Sequence, residues 1–329
     1  MGHTVLLLVP VVLLPLVLLL GFTGCLGDDP TAVLTKERDD ARAERDKLKD
    51  EAEKAKEQQQ QATEDEKYEN RVGNQAGLVS YWRLGEPAGP NPQATDSAKK
   101  TPKHGTYTGA GVNKGVPGVL ALGTQSADTS AEFLGTQGYV DVIWDNLRNP
   151  PSDFTVELWI RPTGSPAAPQ VVYGSYELDA AGNLVRGIAL EILPGTPPQI
   201  RFRLGSGGTT PTALTASLGD GSQFDGWRFV AATYQFTSRT ASLYVDPSGG
   251  IPATMQPDPK ATPAGDPVTF GYNQGSPTRI GAGFLTTAGL YEAAAFFAGR
   301  IDEVALYNVC LDGQTLRVHW DAALSPPQP

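Results

Sequence analysis

The stretch Phe297 to Leu311, FAGRIDEVALYNVCL, restricts the fold more than any other in the chain. Its alternation predicts a strand with Ile301, Glu303, Ala305 and Tyr307 on one face and Asp302, Val304 and Leu306 on the other. Gly299 breaks the chain just before it, and Asp312-Gly313 turns it just after. Companion runs are GLVSYWRLGE at 77–86, DFTVELWIRP at 153–162 and GWRFVAATYQFTSRTASLYVD at 226–246. Short alternating runs set between glycines and prolines argue for two packed antiparallel sheets, an all-β sandwich. The chain has 37 Gly and 27 Pro, most of them after residue 70. A domain of this size buries roughly 70–75% of its unfolded surface and needs no disulfide staple. The only two cysteines, Cys25 and Cys310, are far apart.

The ordered set resembles the laminin-G-like, concanavalin-A-like jelly roll over residues 75–323, with 324–329 as a tail. Further matches are Asp96-Ser97 with the following Gly105–Gly109 run, Gly138–Val142, Trp227–Tyr234 and Ala241–Asp246. The resemblance implies that the opening strand and the GRIDEVALYN strand lie near each other in one sheet. It also implies a domain that binds a glycan or a cell-surface protein. A calcium ion held partly by Asp96 and Asp302 is a further implication; a local turn closed by Asp96 and a hydrogen bond or salt bridge at Asp302 are the competing reading. Ligand-contacting residues are not legible. The loops 163–170, 194–198, 205–213 and 247–278 are candidates only because loops on a rigid scaffold carry function.

Trp82, Phe154, Trp159, Trp227, Phe229 and Tyr307 are expected to fill the sandwich. Cys310 reads as a small buried hydrophobe, and Leu311–Trp320 as a short packing helix.

Residues 4–20 are almost wholly apolar and lead into Gly21-Phe22-Thr23-Gly24-Cys25. The run is short for a spanning helix and fits a signal-peptide core. Small residues before a lone cysteine resemble a bacterial lipobox, which implies cleavage after residue 24 and a lipid on Cys25. An uncleaved anchor and ordinary secretion are the alternatives. Each puts the later domain outside the cytoplasm, and the lipid-anchored reading places it at the cell envelope.

Residues 28–70 carry 15 acidic and 9 basic side chains. They open on Asp29-Pro30, a helix-start signal, and contain no later Gly or Pro. Leu34, Ala41, Leu48, Ala55 and Ala62 recur every seven residues. A solvated, charge-stitched single helix and a weak coiled coil that makes a homo-oligomer both fit. Thr63–Asn70 is expected to fray.

The net charge of −10 and the lack of any basic patch exclude nucleic acid as a partner class. Laminarinase-type relatives of the resembling fold carry two acids on one strand face, as retaining hydrolysis requires. Asp302 and Glu303 are adjacent, which predicts opposite faces, and Glu157 is alone on its strand. His3, His104 and His319 have no metal-ligand spacing. The chain therefore reads as a non-catalytic binding protein. A structural envelope module without a small ligand and an unusual glycoside hydrolase are the rival readings.

Overall fold

The structure is a computed structural model. It describes residues 30–65, 67–122, 125, 127–208, 211–219, 226–245, 260–261, 268–283 and 295–324. The apolar segment read as a signal peptide and Cys25 lie outside these residues, as does much of the loop expected over 247–278. The chain divides into two compact units, Met1–Gln59 and Gln60–Pro329.

Helix α1 (Pro30–Asp65) accounts for the described part of the first unit and runs a little past it. It starts at the predicted proline, and its Leu34 and Leu48 are exposed. Its ion pairs, such as Lys47–Glu51 at 3.9 Å, are exposed too and contribute little stability each. No helix among the described residues is long and apolar enough to cross a membrane.

The second unit opens on helix α2 (Tyr68–Asn74). Strands β1 (Leu78–Trp82), β2 (Gln93–Ala94), β3 (Gly105–Thr108), β4 (Val112–Pro117), β5 (Thr129–Leu134) and β6 (Tyr139–Val142) follow. Then come β7 (Phe154–Pro162), β8 (Gln170–Leu178), β9 (Leu184–Leu193), β10 (Gln199–Leu204) and β11 (Thr212–Ser217). The chain continues through β12 (Arg228–Gln235), β13 (Thr240–Val245), β14 (Lys260–Ala261), β15 (Thr278–Ile280) and β16 (Ala298–Tyr307). Helix α3 (Gly313–Leu324) closes it. Strands β4 and β11 are not apparent from the sequence, because Gly115 and the mixed polar run of β11 give no clear alternation.

Two eight-stranded antiparallel sheets result. The first runs β14-β13-β12-β7-β16-β5-β4, with β1 also paired to β16; the second runs β11-β10-β9-β8-β15-β6-β3-β2. The expected neighbourhood of the opening and GRIDEVALYN strands is therefore a direct pairing, Trp82 opposite Val304 and Tyr81 opposite Ala305.

The alternation of β7 shows how the layers form. Phe154, Val156, Leu158 and Ile160 point into the core between the sheets, with Phe202, Leu190 and Ile301. Trp159 points the other way, yet is also fully buried. On that outer face of the first sheet a second core gathers Trp159, Trp227, Phe229 and Tyr307 with Leu316 and Trp320 of α3 and Tyr68 and Val72 of α2. Four of the aromatics expected inside the sandwich thus pack outside it, under helices. Tyr68 and Val72 are fully buried, so the residues expected to fray include the start of an integral helix. Each large apolar side chain so buried stabilises by about 1.5–3 kcal/mol, enough in sum to hold two short helices that could not persist alone. Cys310 is half-buried with a free thiol, less covered than expected.

Candidate functional site

The alternation of β16 breaks at its centre. Asp302 pairs with Trp159 of β7, but Ala305 pairs with Glu157, so β16 takes three steps where β7 takes two. Glu303 supplies the extra residue with a φ of 53°. A left-handed backbone costs a non-glycine residue about 1–2 kcal/mol, so contacts made by Glu303 must compensate. The bulge restores Ile301, Val304 and Leu306 to the inter-sheet core and leaves Asp302 and Glu303 together, against the expectation of opposite faces.

Asp128, just before β5, joins them. One oxygen from each of the three carboxylates lies within 4.8 Å of the others. Arg83, just after β1, clamps the group. Its Nε donates to Glu303 Oε1 at 2.9 Å and its Nη2 to Asp128 Oδ1 at 3.3 Å. Tyr81 donates its hydroxyl to Glu303 Oε2. Backbone N–H groups of Leu120 and Val119 donate to Asp128 Oδ2 at 3.0 Å and Asp302 Oδ2 at 2.8 Å. Gly118 must lack a side chain here, since a Cβ would collide with both aspartates.

Burial pushes all three carboxyls up. It raises Glu303 to about 7, with Arg83 opposing and Asp128 adding to the rise. Asp302 is driven well above the usual carboxylate range by its burial and then by the charges of Asp128 and Glu303. Asp128 also rises, by burial, against the pull of Arg83. The raised carboxyls and the Arg83 charge together limit the negative charge that the cluster carries.

The donor set is of the hard-oxygen kind that calcium takes, but as arranged it does not fit the ion. Calcium wants six to eight oxygens. Only Asp302 Oδ1 lacks a protein partner, and Arg83 already supplies the positive charge. Asp96 is not part of this cluster. It is buried, accepting from the N–H groups of Tyr81 at 2.8 Å, Ala98 at 3.0 Å and Lys103 at 2.7 Å. Arg148 Nη2 sits 3.6 Å from its Oδ2. That arrangement is a turn-closing aspartate anchored by a buried arginine.

The outer edge of the acid cluster opens on a cleft of ≈ 550 Å³. Arg83, Glu86, Thr95, Ser97, Gln125 and Asp128 are among its lining residues. Glu86 stiffens one wall, accepting from Thr95 N at 2.6 Å and from the Tyr107 hydroxyl at 2.7 Å. Hydroxyl, amide, carboxylate and guanidinium groups alternate around it, so it can both donate to and accept from a polyhydroxylated ligand. Sequence reasoning missed Asp128, Arg83 and Glu303. The available signal was the charged pair Asp302-Glu303 in an otherwise apolar strand, which demands partners once buried.

A second buried acid lies on the same sheet face. Glu157 accepts from the Tyr307 hydroxyl at 2.8 Å, and both its oxygens lie 3.0 Å from His319 Nδ1 on α3. Burial, the largest influence, pushes His319 down; the Glu157 charge and hydrogen bond together outweigh it and move the imidazole up.

Two antiparallel sheets, a doubly covered first sheet and a polar rim cleft define a concanavalin A-like jelly roll. The chain belongs to the concanavalin A-like lectin/glucanases superfamily, whose Laminin_G_3 model matches residues 134–317. Among solved structures it is similar to the W1252A mutant of HCR D/C VPI 5995, with 11% identity and a TM-score of 0.49. The botulinum neurotoxin serotype C1 binding domain is similar at 12% identity and a TM-score of 0.48. In both cases 75% of this chain is covered, and the chain spans 52% of the other. A Trypanosoma rangeli sialidase is similar at 16% identity and a TM-score of 0.45, over 75% of this chain and 32% of that one. A comparison with curated proteins gives no match.

Proposed function

We propose that the β-sandwich is a non-catalytic recognition domain that binds a glycan, or the glycan-bearing surface of another protein, through the rim cleft beside Arg83. The observation that carries this reading is the cleft itself, ≈ 550 Å³ of open space lined by hydrogen-bonding side chains on rigid strand ends. Membership of a lectin/glucanase superfamily supports the ligand class. The non-catalytic part is supported by the burial of Asp302 and Glu303, whose side chains have no exposed surface to offer a substrate or water. In this reading the acids are held by Arg83 and a proton, and calcium has no part.

The domain is carried outside the cytoplasm on a lipid attached to Cys25, with α1 as a stiff spacer of ~1.5 Å per residue. Mass spectrometry of the mature N-terminus tests this part, since an unmodified or uncleaved Cys25 would refute it. A glycan array probed with the full chain tests the first part; uniform absence of binding leaves the structural-module reading. A group of three carboxylates beside the cleft, with Asp128 on its lining, is the observation behind glycoside hydrolysis as a second reading. Reducing-sugar release from a polysaccharide panel decides between the two.

A further inference from the structure

A second cleft, of ≈ 460 Å³, lies between α2 and α3, on the far side of the outer core from the sheet. Arg71, Asn74, Gln75, Asp312, Gln314 and His319 are among its lining residues. His319 is 2% exposed, yet it lines this space. Its Nδ1 is committed to Glu157, 3.0 Å from both carboxylate oxygens. The opposite edge of the ring, bearing Nε2, therefore faces the cleft, and Nε2 has no protein hydrogen bond among the described residues. A buried carboxylate behind Nδ1 fixes the ring and keeps a proton on that side.

The charges around the cleft do not cancel. Arg71 is exposed, makes no ion pair among the described residues and stands near enough for its charge to act on His319. Lys99 reaches the rim and donates to Asn74 Oδ1 at 2.5 Å, which leaves the Asn74 amide group free to donate. The one acid on the lining, Asp312, caps α3 by accepting from Thr315 N at 2.8 Å. The other titratable groups packed around His319 are Glu157, Tyr307 and, from α2, Tyr68. Two cations, Arg71 on the lining and Lys99 beside Asn74, thus stand at a space whose walls also offer side-chain amides, the Thr315 hydroxyl and the His319 ring, in a chain with a net charge of −10.

We propose that this cleft is a separate binding site for an acidic saccharide. The carboxylate or sulfate of the sugar is held between Arg71 and His319 Nε2–H, the imidazolium being the form that the Glu157 carboxylate behind the ring and the bound anion in front of it together favour, and the sugar hydroxyls are held by Asn74, Gln75 and Gln314. Guanidinium and imidazolium donors make charge-assisted bonds to such groups, and neutral amides suit the hydroxyls. The ligand class rests on the saccharide-binding reading above; the location does not.

The test is nuclear magnetic resonance of the full chain, labelled at histidine, with His3→Gln and His104→Gln to assign His319. The expected result is that an oligogalacturonate shifts the His319 ring resonances, while a neutral maltooligosaccharide of equal length does not. Arg71→Gln, a surface change that leaves the fold intact, weakens the oligogalacturonate about tenfold. Ser97→Trp, which fills the rim cleft, leaves the His319 shift in place. Inorganic sulfate serves as the third probe. If sulfate moves His319 and the oligogalacturonate does not, the site takes free anions and the saccharide assignment is overturned. If saccharide binding is lost in Ser97→Trp while His319 never moves, this inference fails and the rim-cleft reading stands.

Discussion

Arg83 Nε donates to Glu303 Oε1 at 2.9 Å, across the one point where β16 carries two successive side chains on the same side. The guanidinium also reaches Asp128, so one cation serves two acids, with Asp302 beside them. Removing it leaves buried carboxylates without a counter-charge. Arg83→Met is expected to destabilise the domain by about 3–5 kcal/mol at neutral pH and by clearly less in acid, where the carboxyls take up protons. Urea unfolding at two pH values measures both numbers.

The same cluster sets the pH dependence. Glu303 titrates near about 4.3 when unfolded and at about 7 when folded. The folded state therefore holds more protons across that window, and the stability tied to them is complete below the lower value and lost as pH rises through the upper. His319 is also raised and adds loss of the same sign above its unfolded value. The Glu303 contribution is at most about 4 kcal/mol. Glu303→Gln cannot ionise and is expected to flatten the fall in melting temperature between about pH 5 and 8. A slope unchanged in that variant would assign the effect elsewhere.

Chelation separates Arg83 from calcium as the neutralising charge. Excess chelator is expected to leave the melting temperature where it was. A ligand that binds only the folded state would be lost with a drop that grows with its affinity, and such a drop would mean that an ion displaces Arg83.

Gly118 tests the spacing of the two aspartates. Gly118→Ala drives a methyl group into Asp128 and Asp302 and is expected to cost about 2 kcal/mol or more, as overpacking of a close-packed site does. Circular dichroism melts of this variant and of Gly164→Ala make the comparison. Nothing lies within contact of a Cβ at Gly164, but its φ of 73° strains an alanine there, a strain Gly118 does not share, so the collision costs at least the excess over that control.

Much of the fold is legible from the period of two. That Phe154, Val156, Leu158 and Ile160 share one face follows from it, while the pairing of Leu78–Trp82 with the strand at Ala298–Tyr307 is implied by the family resemblance. The site is not legible in that way. Alternation separates Asp302 from Glu303, and nothing about glutamate announces a left-handed backbone; only the clamp from Arg83 and Tyr81, over 200 residues distant in sequence, stabilises it. Alternation also says that Trp159 and Leu158 face opposite ways without saying which way is inward. Both faces of β7 are covered, because α2 and α3 roof the outer one, so the aromatic content of a face could not identify the interior. Asp96 and Asp302 were linked by resemblance alone, and each found its partners locally, Asp96 in backbone N–H groups and Arg148, Asp302 in Val119 and the acids beside it.

The account rests on ligand recognition at the rim cleft beside Arg83, and the most direct measurement is calorimetric titration of a glycan that the array selects into the wild-type chain and into Ser97→Trp. Ser97 is exposed on the cleft wall, so the variant should fold with an unchanged melting temperature. The predicted result is a loss of affinity of at least about tenfold, or about 1.4 kcal/mol. Equal affinity in the two proteins would contradict the account.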